Sequence, residues 1–255
     1  MASVVVDRPS AGNQCFFLKV AVAMALVILI GFPLQWLMGR STFAMPIAVH
    51  VHALLFLGWT LLFVAQTAFA GREDRTLHRR LRWIGAGWAT AVMIVGVHTT
   101  AMMVRRGGVP FFFTPGEFLY MNVLSVIGFG ALVATAIRLR RRTEWHRRLM
   151  ICAMAILTGP AFGRILPMPL MIPYAAWGVF VAVMLFPLAG MVADRRRRGR
   201  IHRAWWWGAG TIVAIQVAIG IVAASAPGQA LYHVVVRRGA GEAVPPGTYP
   251  PFPRI

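Results

Sequence analysis

The sequence predicts an all-α, polytopic integral membrane bundle of about seven transmembrane helices, and three observations predict it. Hydrophobic residues make up 58% of the 255 and charged residues 13%, where a soluble domain sits near about 45–50% and about 25%. The apolar residues fall in runs of about 20, the length a helix needs to cross a hydrocarbon core of ~30 Å. The charges collect between those runs rather than within them. Together these exclude a soluble globular domain, a disordered chain and a disulfide scaffold.

The spans are expected at 16–38, 42–70, 83–104, 118–137, 149–167, 172–193 and 204–226, forming one bundle over 1–226. The first has an apolar run of 23 residues, longer than the about 7–15 of a signal peptide, so it reads as a membrane helix. The second, 29 residues long, tilts or starts outside the hydrocarbon. The fifth is the weakest, because it contains Pro160 and Arg164 and its uncharged stretch is 15 residues. All the runs are too long for strands and lack period-two alternation. Segment 227–255, rich in Pro and Gly, is expected to be an irregular, mobile tail. Cys15 and Cys152 read as small apolar filler.

Five arginines lie in 71–82, six in 138–148 and six in 194–203. Short basic loops stay in the cytoplasm. The N-terminus and the connections after spans two, four and six are therefore expected inside, and the tail outside, a bacterial cytoplasmic (inner) membrane. Much of the net charge of +19 thus reads as a topology signal that also contacts anionic lipid headgroups on the cytoplasmic face. No nucleic-acid partner is expected, since no basic module interleaved with aromatics stands outside the spans.

One pattern recurs where later spans begin: Leu77-His78-Arg79-Arg80-Leu81, Trp145-His146-Arg147-Arg148-Leu149 and Ile201-His202-Arg203-Ala204. Arg and His at such an interface anchor a helix and snorkel towards headgroups. The alternative is that His78, His146 and His202 face the bundle and bind something. The run Val51-His52, Gln66, Leu77-His78-Arg79-Arg80-Leu81-Arg82-Trp83-Ile84-Gly85, then Glu144-Trp145-His146-Arg147-Arg148-Leu149-Met150 and Gly163-Arg164, resembles a group of uncharacterised bacterial multi-pass membrane proteins. In that group a His-to-Gln span precedes HRxL- and HRxM-type helix starts and a downstream Arg; here Arg82 replaces the Gly of the first. The resemblance covers about 45–166 and implies a layout similar to that of membrane b-type cytochromes, without implying an activity.

Ionisable groups inside spans are functional-site candidates by default. At 1.5 Å per residue, His50 and His52 lie about 12 and about 15 Å from one surface, and His98 about 9 Å from the same surface. Glu117 and Arg164 stand near that surface too, whereas Gln66, His78, His146 and His202 belong to the opposite leaflet. His50 and His52 point about 200° apart, so one of them at most faces the bundle. His52, Trp59 and Gln66, spaced by sevens, share a face.

Three chemistries compete for the first group. His52 and His98 would be axial ligands of one haem b in an electron-transfer protein, with Arg164 balancing a propionate. His50 or His52, His98 and Glu117 would hold a divalent metal. Or the groups form a polar network, Glu117 pairing Arg164, in a non-catalytic permease or structural membrane protein. No nucleophile elbow, phosphate loop, zinc-protease motif or Cys pair specifies an enzyme.

Overall fold

The structure, a computed structural model, describes residues 11–39, 44–69 and 75–252, with backbone alone for 11–13 and 75–82. Among the described residues the chain is helical and contains no strand. Its helices are α1 (Ala11–Leu37), α2 (Ile47–Phe69), α3 (Arg75–Arg105), α4 (Pro115–Arg138), α5 (Thr143–Leu157), α6 (Gly159–Ile165), α7 (Ala175–Arg198), α8 (Arg203–Ala224) and α9 (Ala226–Val236). Among the described residues six are long and apolar enough to cross a membrane, and the bent pair of α5 and α6 brings the number to seven if it is counted as one span. The outward faces carry Leu54, Ile94, Val181, Leu185 and Ile221, all strongly exposed. Such uncovered apolar surface on long helices is compatible with faces turned to lipid.

Local chemistry sets the helix ends. Pro46 immediately precedes α2, which therefore begins later than position 42 and has 23 residues rather than 29. Thr114 caps α4 by accepting from the Glu117 N–H at 3.3 Å, with Pro115 at the first turn. Gly199 closes α7 in the left-handed conformation at φ 68°, where only glycine is unstrained. Ahead of α7 the chain turns through Met168–Met171, so that helix starts three residues beyond position 172.

The central element is the broken one. Every residue of α5 from Leu149 to Leu157 except Met150 is buried, enclosed by α1, α4, α7 and α8. Pro160 has no N–H to offer the preceding turn, and the Thr158 hydroxyl bonds the Ala155 carbonyl at 2.6 Å instead. The axis bends 44° into α6. Gly31 lets α1 come against the Ala161 backbone, where a side chain would not fit.

The tail is irregular over 244–252, as its composition suggests, but a helix and a tight turn precede that stretch. Ser225 caps α9 by accepting from the Gly228 N–H at 3.1 Å, and a tight turn over Ala240–Ala243 follows. Tyr232, 1% exposed, bonds the Gly241 and Val244 carbonyls at 3.1 and 2.8 Å. The Gly116 N–H donates to the Pro246 carbonyl at 2.9 Å, and Phe111 lies against Phe252. Prolines and glycines here let the backbone fold tightly over the ends of α3 and α4.

Candidate functional site

The expected site residues separate into two groups at opposite ends of the bundle. We call these the tail end and the basic end, after the 138–148 and 194–203 arginines.

At the tail end, His52 lies one and a half turns into α2. Its ring stacks on Phe56 with centroids 4.1 Å apart and leans on the Val95 backbone of α3. Its Nδ1 is buried with no hydrogen-bond partner. Arg164 is close enough for its charge to act on that ring. One Arg164 nitrogen donates to the Pro160 carbonyl at 2.8 Å, and the guanidinium sits 4.2 Å over the Phe32 ring. Gln35 of α1 donates to the Arg164 carbonyl at 2.8 Å, fixing α6 against α1. His52 and Arg164 thus share the tail end of the bundle, within range of one another's charge.

It does not bring in the rest. His98 is exposed, on the outward face of α3 beside Val97, while Val92, Gly96, Thr99 and Thr100 face inward. His50 is half-buried, three-fifths of a turn from His52. Glu117 stands beneath the tail, where burial, with its charge adding, raises the Tyr249 hydroxyl above the usual phenol range. The expected Glu117–Arg164 pair is absent from the ion pairs among the described residues, because one belongs to α4 under the tail and the other to α6 against α1. Nor do three of His50, His52, His98 and Glu117 form a metal-holding group among the described residues.

A bis-imidazole haem requires two rings facing each other across a porphyrin. Here His98 points away from His52. The helices between which the haem would sit are in direct contact: the Trp88 indole N–H bonds the Leu55 carbonyl at 2.8 Å, and Gly96 lies against Phe56. His52 and His98 as placed do not fit that group.

At the basic end, the histidines have backbone roles. The His146 Nδ1 meets the Ala136 carbonyl at 2.8 Å. His202 caps α8, its Nδ1 accepting from the Ala204 N–H at 3.1 Å. Burial, reinforced by the Arg148 charge, holds the His202 imidazole below its ordinary value, which keeps the neutral capping form. The His78 side chain lies outside the described residues, and Gln66 packs against Gly85 of α3.

The strongest polar constellation is one that the sequence pattern did not single out. Arg148 is 0% exposed. Its Nε and Nη2 donate to the two Asp194 carboxylate oxygens at 2.9 and 2.7 Å, and its Nη1 to the Glu144 backbone and carboxylate. Asp194 also accepts from the Trp205 indole at 3.0 Å and the His202 N–H at 3.3 Å. Glu144 joins Arg147 and Arg198 as well, and Phe17 of α1 lies under Arg147 at 4.8 Å. Four helices are tied at one point by a fork-to-fork pair whose hydrogen bonds are satisfied. The available signal was scarcity: Glu144 and Asp194 are two of only seven acidic residues, each set among arginines.

Comparison of the chain with protein-family models, with curated proteins and with solved structures returned no match.

Proposed function

We propose that the protein is a non-catalytic, permease-type protein that takes a small anion at Arg164. One observation carries this reading. Among the described residues Arg148 is neutralised by two carboxylates, whereas Arg164 has no carboxylate within ion-pair distance. A guanidinium at membrane depth without a counter-charge is costly, and an anionic ligand relieves that cost. Its place supports the reading too, since broken helices in transporters supply ligand-binding groups near the break.

With the protein in liposomes, uptake of small anions is expected, and Arg164→Gln should lower it at least about tenfold, while Arg164→Lys retains part of it. Uptake that is absent in the wild type, or indifferent to Arg164→Gln, overturns the proposal. So does a purified protein whose Soret band is lost in His52→Ala, which would instead support a haem-carrying electron-transfer protein.

We place the protein in a bacterial cytoplasmic membrane with the basic end inside, where its arginines meet anionic headgroups. A reporter active only outside the cytoplasm should work when joined after Phe252 and fail when joined after Arg141. The reverse pattern would invert the orientation.

A further inference from the structure

The outward face of α8 carries a groove of about 400 Å³ at the basic end, lined by Trp206, Trp207, Gly210, Thr211 and Ala214. The residue types explain its shape. Trp206 and Trp207 are 59% and 69% exposed, so their rings stand clear of the bundle. Gly210 and Ala214 follow one and two turns further along the same side of the helix, and both offer almost no side chain. A Cβ at Gly210 would meet nothing within 4 Å. The Thr211 hydroxyl bonds the Trp207 carbonyl of its own helix at 2.9 Å, so the floor of the groove is apolar.

A cation stands at its head. Arg203 is exposed at the start of α8, three and four residues before the two tryptophans and so on their side of the helix. It forms no ion pair among the described residues, and α8 contains no carboxylate. From Arg203 to Ala214 the helix rises about 16 Å, and one leaflet of hydrocarbon is about 15 Å deep. The stripe therefore runs from headgroup level to the middle of a bilayer, with its tryptophans where such rings concentrate. The volume is that of a small-molecule site, about 300–1,000 Å³. A second helix, about 10–12 Å across, would have to push both rings aside to reach Gly210, whereas a single acyl chain is narrow enough to lie along the trough.

We propose that this stripe binds one anionic phospholipid of the surrounding bilayer, its phosphate on the Arg203 guanidinium and one acyl chain along Gly210 and Ala214. A guanidinium matches a phosphate with two parallel N–H donors. The single positive charge favours an anionic headgroup, because a zwitterionic one brings its own cation to offset the phosphate. The inference is separate from anion passage at Arg164. It holds whichever way the bundle is inserted, since it needs only a headgroup region at the basic end.

The test is native mass spectrometry of the full chain in detergent, titrated with phosphatidylglycerol and, separately, with phosphatidylcholine bearing the same acyl chains. One phosphatidylglycerol should be retained per chain, and phosphatidylcholine should bind at least about fivefold more weakly. Arg203→Gln should weaken phosphatidylglycerol about fivefold, the worth of one arginine at an anionic surface. Gly210→Leu and Ala214→Leu each fill the trough from an exposed position and should abolish retention. Gly87→Leu, at another outward glycine with open space around it, should bind within about twofold of the wild type. So should Arg141→Gln, at another exposed arginine of the basic end. Retention at the wild-type level in either filled variant overturns the groove as the site. Equal binding of phosphatidylcholine, or an equal loss in Arg141→Gln, reveals unselective contact and overturns the proposal as well. A two-chain species that Gly210→Leu dissociates, with lipid retention unchanged, would assign the stripe to a second copy instead. None of these outcomes touches uptake at Arg164, which has its own measurement.

Discussion

Asp194→Ala is expected to lower stability by about 3–5 kcal/mol, measured by denaturant titration in detergent, because it strands a buried guanidinium. Arg148 would keep only Glu144 as a counter-charge, and Glu144 is already shared with Arg147 and Arg198. The Trp205 indole N–H, on a ring that is 0% exposed, would lose its partner as well. The magnitude comes from an uncompensated charge, so removing both charges should restore most of it. The double variant Arg148→Met, Asp194→Leu should recover at least about half of the loss. A single variant that loses less than about 1 kcal/mol would show that water reaches the pair and that it does not bind the four helices.

Tyr232→Ala should cost about 3–5 kcal/mol in the closure of the tail, the range for deleting a fully buried aromatic side chain. The loss has two parts, since the ring fills the space between α9 and the turn over Ala240–Ala243, and its hydroxyl joins the Gly241 and Val244 carbonyls. Tyr232→Phe keeps the first part and should cost only about 0.5–1.5 kcal/mol. Limited proteolysis provides the readout: cleavage beyond Gly239 should be slow in the wild type and in Tyr232→Phe, and rapid in Tyr232→Ala. Equally rapid cleavage of the wild type would mean that the tail does not hold the ends of α3 and α4.

The helices were legible because the membrane imposes one rule, about 20 apolar residues per crossing, and this composition obeys it. The weak fifth span was legible for the same reason: Pro160 and Arg164 marked the place where α5 breaks into α6. The tail misled because Pro and Gly report backbone freedom, not whether a tyrosine at position 232 finds a pocket. His52 with Arg164 was partly visible, since both are ionisable groups in apolar runs. His98 was not separable from them, because depth along a helix can be counted from the sequence, whereas the direction a helix faces depends on which neighbour it packs against. Arg148 was hidden in plain sight among arginines that mark topology. Whether an arginine is an interface anchor or a buried partner is decided by a carboxylate 46 residues away, and no local pattern records that distance.

That separation has a consequence for how the chain enters the bilayer. Residues emerge from the ribosome at about 5–20 per second, so the 46 between Arg148 and Asp194 take about 2–9 s. Through that interval α5 carries an arginine whose permanent partner has not been synthesised. Glu144, one turn earlier on the same helix, is its only carboxylate partner until then. The second carboxylate arrives only with α7, and the Trp205 donor that completes the constellation only with α8, so the constellation cannot close before the last two of these helices have been made.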